Sequence, residues 1–174
     1  MRIPNNALTI ALIVCVLIGV TLSRLQTMLV WNVSASAPVG LYWIKPAIFP
    51  NMGDLLAVQA PEQIARLMDE RDYLPFNAVL LKRVAALSGS EICRRGMNIF
   101  VAGKMIAQAK KVDAKGRSLP QWQGCRQLGP DEIFLVNADV PDSLDGRYFG
   151  PFPKSSIVGL ARPIWTDEGN DARR

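Results

Sequence analysis

At 174 residues, with 20 Lys and Arg against 15 Asp and Glu, the chain is long enough for one domain with its own core and too short for two ordinary domains plus an anchor. It contains no histidine, which excludes Ser-His-Asp and Cys-His catalysis together with most zinc and haem sites. The formal charge of +5 is spread along the chain rather than gathered into a basic block with interleaved aromatics, which argues against nucleic-acid binding and suits a protein lying beside anionic lipid headgroups.

Residues 7–23 carry no charge, and Arg24 ends the run. This reads as a membrane helix at the short end of the spanning range, with Arg24 snorkelling to the interface and Trp31 and Trp43 at headgroup level. The rival reading is a cleaved leader, because Ala35-Ser36-Ala37 has the small-x-small form of a cleavage site. Arg24 and the segment 25–34 separate the apolar run from that tripeptide, and Pro38 would follow the cut, so an uncleaved anchor is the expectation. Arg2 and Arg24 flank the run too evenly to orient it.

Beyond Trp31 the chain shows short β-like runs at 41–44, 55–58, 79–86, 99–101, 133–136 and 157–164, most of them separated by Gly and Pro. One helix is predicted over 61–70, with Pro61 in its first turn and Ile64, Leu67 and Met68 on one face. The pattern is that of a mainly β, antiparallel domain with one short helix. Residues 1–30 form the expected N-terminal transmembrane anchor, 31–165 the folded domain, and 166–174 a polar tail. Of three cysteines, Cys15 lies in the apolar run; Cys93 and Cys125 either pair, in an oxidising compartment, or stay buried and unpaired. They do not make a metal cluster, and no cofactor is expected.

Without histidine, a serine hydrolase needs another base, and a lysine made neutral by burial can serve. Lys82 stands in apolar company: residues 78–81 precede it, and 84–87 follow Arg83. On a strand, Lys82 projects with Leu80 and Val84 while Arg83 projects with Leu81 and Ala85, so one cation can be buried and its neighbour exposed. Periodicity alone favours an edge-strand lysine that discourages aggregation; the buried reading rests on more than periodicity.

Four segments then occur in order. Ser34-Ala35-Ser36-Ala37-Pro38-Val39-Gly40-Leu41-Tyr42 resembles the nucleophile box of the TraF-type conjugative transfer peptidases, a branch of the Ser/Lys signal peptidase family. Gly53-Asp54-Leu55-Leu56-Ala57-Val58 resembles the strand box of that family, and Leu81-Lys82-Arg83-Val84-Ala85-Ala86-Leu87-Ser88-Gly89 its lysine box. Asp142-Ser143-Leu144-Asp145-Gly146-Arg147-Tyr148-Phe149-Gly150 resembles the closing box. Each segment alone is weakly specific, and serines beside Pro38 are also ordinary turn formers; the ordered set is what is specific.

The resemblance implies antiparallel sheets of the signal peptidase type behind an anchor in the inner membrane, with the catalytic domain in the periplasm. It makes Ser36 the nucleophile and Lys82 the general base. The Ser34 hydroxyl and the Ser36 N–H become the oxyanion donors, and Ser143 the group that directs the amine. Asp145 and Arg147 become a supporting ion pair. Ala37 where housekeeping enzymes carry Met, Asp-Gly-Arg at 145–147, and Val136-Asn137-Ala138-Asp139-Val140 in place of a Gly-Asp-Asn-Arg run turn the likeness toward the conjugative branch. The implied function is maturation of a conjugative pilin precursor, by hydrolysis or by ring closure, in contact with membrane lipid and other conjugative transfer proteins. The alternatives are a general type I signal peptidase and a non-enzymatic, anchored component of a secretion channel.

Overall fold

The computed structural model describes residues 5–26, 29–47 and 49–167. Arg2, the side chain of Arg24 and the tail from 168 onward lie outside the described residues. A 22-residue helix, α1 (Asn5–Gln26), precedes β1 (Leu29–Asn32). Among the described residues no helix is long and apolar enough to cross a membrane. Positions 9–20 of α1 are all exposed, and that stretch alone rises about 18 Å against a hydrocarbon core of ~30 Å.

The domain that follows is mainly antiparallel β. Its larger sheet has the order β1-β2-β11-β3-β4-β9-β10, formed by β1, β2 (Gly40–Lys45), β3 (Leu55–Gln59), β4 (Val79–Ala86), β9 (Glu132–Leu135), β10 (Phe152–Pro153) and β11 (Ile157–Thr166). The smaller sheet has the order β7-β6-β5-β8, formed by β5 (Glu91–Arg95), β6 (Asn98–Val101), β7 (Lys104–Gln108) and β8 (Gly124–Gln127). Strands β3 and β4 lie inside the larger sheet with both faces covered, which is why each is an almost unbroken apolar run. On one face Leu80 and Val84 pack with Leu56, Val58, Leu135, Phe152 and Met68 of α2 (Glu62–Glu70). On the other, Leu81 packs with Tyr42, Ile44, Ala57 and Ala161. A third cluster, including Ala86, Ile92, Ile99 and Phe134, joins the two sheets.

Every apolar run foreseen as β falls on a strand, β4 with the bounds expected for it. The expectation of a single helix in the domain is corrected by α3 (Gly146–Phe149) and a 3-10 turn at Lys154–Ser156. Elements of three or four residues are too short for a periodic signal; α3 is set by its cap, where Asp145 accepts from the Arg147 N–H at 3.1 Å. Strands β1, β5, β7, β8 and β10 were not foreseen. Strand β8 is exposed at all four positions and so has no apolar pattern to read, and β5 buries Arg94 where the alternation called for an apolar residue. Cys93 and Cys125 face each other across the β5–β8 pair and form a disulfide, which resolves the two readings in favour of pairing.

Candidate active site

Ser34 and Ser36 sit in the loop 33–39 that closes the β1–β2 hairpin, whose last paired residues are Asn32 and Gly40. The loop has no regular pairing, so its backbone groups need other partners. Asn32, buried at the strand end, supplies most of them: its Nδ2 donates to the carbonyls of Ser34, Ala37 and Pro38 at 2.9, 3.0 and 3.1 Å, and its Oδ1 accepts from the Ser34 N–H at 3.1 Å. The Tyr42 hydroxyl donates to the Pro38 carbonyl at 2.7 Å. Gly40 has φ +149°, and a Cβ there would collide with the backbone of Trp165 and Thr166, so β11 can run this close only past a glycine. Within the loop, the Ser34 and Ser36 hydroxyls bond each other at 2.9 Å, and the Ser36 N–H donates to Ser34 Oγ at 3.3 Å.

Lys82 lies on β4 opposite Leu56 of β3. It is 3% exposed, whereas Arg83 is exposed, the arrangement that strand alternation allows. The Lys82 ammonium donates to Ser143 Oγ at 2.8 Å, and Ser143 is itself buried. Burial in this apolar setting brings the Lys82 amine down from 10.5 to about 8; the negative charge of Asp145 opposes that shift and the positive charge of Arg147 adds to it.

Asp145 and Arg147 form a fully buried pair, with Nε to Oδ1 and Nη2 to Oδ2 both at 2.9 Å. The remaining Arg147 donors hold the carbonyls of Asn137, Val140 and Pro141, so the pair fixes the loop that leads from β9 to Ser143. Each nitrogen of the Arg147 guanidinium and each oxygen of the Asp145 carboxylate therefore has a partner, which offsets the cost of burying the pair.

Ser34, Ser36, Lys82 and Ser143 line one cleft of about 420 Å³, whose apolar walls include Leu80 and Leu144. Ser36 also lines a second cleft of about 380 Å³, with Arg83, Asn137 and Asp139 on its walls. The structure thus brings together all the predicted serine, lysine and ion-pair residues. Ser36 Oγ is bonded to Ser34 rather than to the Lys82 amine, and the two groups assigned to an oxyanion are turned on each other. Cys93 and Cys125 belong to the smaller sheet and line neither cleft. Two residues that the sequence did not single out as members of the site, Asn32 and Asn137, carry much of its hydrogen bonding. Their bonds to distant carbonyls leave no trace in periodicity, although an Asn that closes a strand before Ser-x-Ser is a recognisable turn signal.

The chain is thus an antiparallel β domain in which a buried lysine and a serine-bearing turn open on one cleft. The family model described as signal peptidase, peptidase S26, matches residues 4–166. A plasmid transfer protein TraF from Escherichia coli is 35% identical over 147 residues, covering 78% of this chain and 81% of the relative. A conjugal transfer protein TraF from Agrobacterium fabrum is 32% identical over 149 residues, with the same two coverages, 78% and 81%. A crystal structure of a signal peptidase I from Enterococcus faecalis aligns with a TM-score of 0.39 at 19% identity, covering 67% of this chain and 97% of that one. The chain belongs to the signal peptidase family, peptidase S26, and is of the TraF type. That membership implies peptidase activity and a protein substrate.

Proposed function

We propose that the chain is a membrane-bound serine endopeptidase that uses Ser36 and Lys82 to process a conjugative pilin precursor. One observation carries the reading: a lysine buried in the core, with its amine brought down to about 8 and directed by Ser143, opens on the cleft that Ser36 lines. Neutral Lys82 takes the Ser36 proton as Oγ attacks a backbone carbonyl, and returns it to the leaving amine, so the peptide C–N bond is exchanged for a serine ester. The Ser34 hydroxyl and Ser36 N–H release each other to donate to the developing oxyanion. Water resolves the ester to a linear product, or the N-terminal amine of the substrate resolves it to a ring. Asp145 and Arg147 support this geometry without exchanging protons with substrate.

The anchor at 1–30 belongs to the same proposal. It is supported by the uncharged run 7–23 and by the outward-facing apolar residues between 9 and 20. Exposed Trp31 and Trp165, stacked at 5.7 Å, and exposed Trp43 suit a headgroup-level surface at the start of the domain 31–165. The Cys93–Cys125 disulfide suits the periplasm, with the anchor at 1–30 holding the chain to the inner membrane. Membrane lipid, the pilin precursor and other conjugative transfer proteins are the partners of this reading.

The test is mass spectrometry of pilin precursor after incubation with wild type and with Ser36→Ala. The proposal expects cleavage with wild type alone: two linear fragments where water resolves the ester, or, where the N-terminal amine of the substrate resolves it, a ring made from the acyl-side fragment and lighter than its linear form by a water, with the C-terminal segment released as the leaving amine. Equal cleavage of unrelated secretory precursors would favour a general signal peptidase instead. Processing by Ser36→Ala would contradict the nucleophile assignment.

A further inference from the structure

The ladder between β9 and β4 pairs Leu135 with Val84 and Phe134 with Ala86. It ends where the Val136 N–H donates to the Arg83 carbonyl at 2.9 Å. Beyond that point the chain leaves the sheet, and two polar groups of β4, the Arg83 N–H and the Leu81 carbonyl, have no strand opposite. The side chain of Asn137 takes the place of that strand. Its Oδ1 accepts from the Arg83 N–H at 2.8 Å and its Nδ2 donates to the Leu81 carbonyl at 3.0 Å, so one carboxamide brackets Lys82 on both sides. The same Nδ2 donates its second N–H to the Ser36 carbonyl. The Asn137 N–H donates to Asp145 Oδ2 at 3.0 Å, and its carbonyl accepts from Arg147 Nη2 at 2.9 Å.

We infer that Asn137 is the positioning residue that sets where the Ser36 turn stands relative to the strand carrying Lys82. Resting on the Ser36/Lys82 reading, the inference adds the part that couples the two. Asn137 is 5% exposed with each polar group partnered, and the chemistry is specific to its side chain. The site needs one acceptor and two N–H donors on a short arm. Aspartate offers no donor, glutamine holds its amide one methylene further out, and serine has a single O–H. Among the described residues, no other hydrogen bond ties the Ser36 backbone directly to β4. Ser36 Oγ now bonds Ser34 Oγ, so the approach of hydroxyl to amine depends on this link.

The experiment uses the full chain and pilin precursor, comparing wild type with Asn137→Ala, Ser36→Ala and Lys82→Arg for kcat, KM and the pH profile of kcat. The Asn137 side chain bonds Arg83, Leu81 and Ser36 and not the Lys82 amine, whose hydrogen bond goes to Ser143 and whose charged neighbours are Asp145 and Arg147. A displaced Ser36 lowers kcat by about 10²-fold, leaves KM unchanged, and keeps the acid limb where wild type has it. A kcat equal to that of wild type overturns the inference. So does a fall in kcat accompanied by an alkaline shift of the limb, which marks general loosening that lets water reach Lys82. If Asn137→Ala does not fold, Asn137→Ser carries the same comparison with one hydrogen bond retained. Ser36→Ala and Lys82→Arg must both be inactive: cleavage by either defeats the Ser36/Lys82 reading and takes this inference with it, whereas inactivity of both beside a fully active Asn137→Ala defeats this inference alone.

Discussion

Replacing Lys82 by methionine should stabilise the protein at neutral pH while destroying its activity. The Lys82 amine is held near 8 in the fold against 10.5 ordinarily, chiefly by burial. Between those values the unfolded chain binds a proton that the folded one does not, so wild-type stability rises with pH across the window. Below about 8 the full penalty applies, and the difference between the two values amounts to about 3 kcal/mol. Methionine has nearly the same length and no charge, and it would lie among the apolar neighbours of β4. It loses the hydrogen bond to Ser143, a cost of about 1 kcal/mol. Lys82→Met should therefore exceed wild type by about 2 kcal/mol at pH 7, which moves a urea midpoint upward by about 1 M. Above 10.5 the advantage disappears and the variant becomes slightly the weaker. Urea unfolding of both proteins at intervals from pH 6 to 11 reads this directly. A stability difference that stays flat through the window from 8 to 10.5 would refute the burial argument.

Ser143→Ala removes the acceptor that aims the Lys82 amine, and kcat should fall by about 10²-fold with binding of the precursor retained; steady-state kinetics checks it. Asp145→Ala leaves the Arg147 cation buried without its partner, and urea unfolding should show a loss of about 3 to 5 kcal/mol. Cys125→Ser opens a loop spanning 32 residues in sequence, and thermal unfolding under oxidising conditions should show a loss of about 3 to 4 kcal/mol.

Alternation along a strand put Leu80, Lys82 and Val84 on one side without saying whether that side is core or edge; the ordered segments favoured burial, and β4 has the bounds its composition marks out. Ser143, Asp145 and Arg147 could be gathered into the site only through the ordered segments, since nothing local says that Ser143 meets a residue 61 positions away. Asn137 stood in view only as part of a run that replaces another. Its bonds to Leu81 and Ser36 cross 56 and 101 positions, and a side chain that completes a sheet ladder has no period. Strand β8 was invisible because it is exposed throughout, and the pairing of Cys93 with Cys125 followed only once β5 and β8 were seen in register. Local propensity thus located the core strands, and long-range polar contacts built the loops around the site.

The most direct measurement is the pH dependence of single-turnover cleavage of pilin precursor by wild type and Lys82→Arg. Neutral Lys82 is the active form, so the wild-type rate should rise with pH through about 8 and level off above it, while Lys82→Arg shows no cleavage at any pH because guanidinium keeps its charge. A wild-type rate that is flat from pH 6 to 10, or cleavage by Lys82→Arg, would contradict the account.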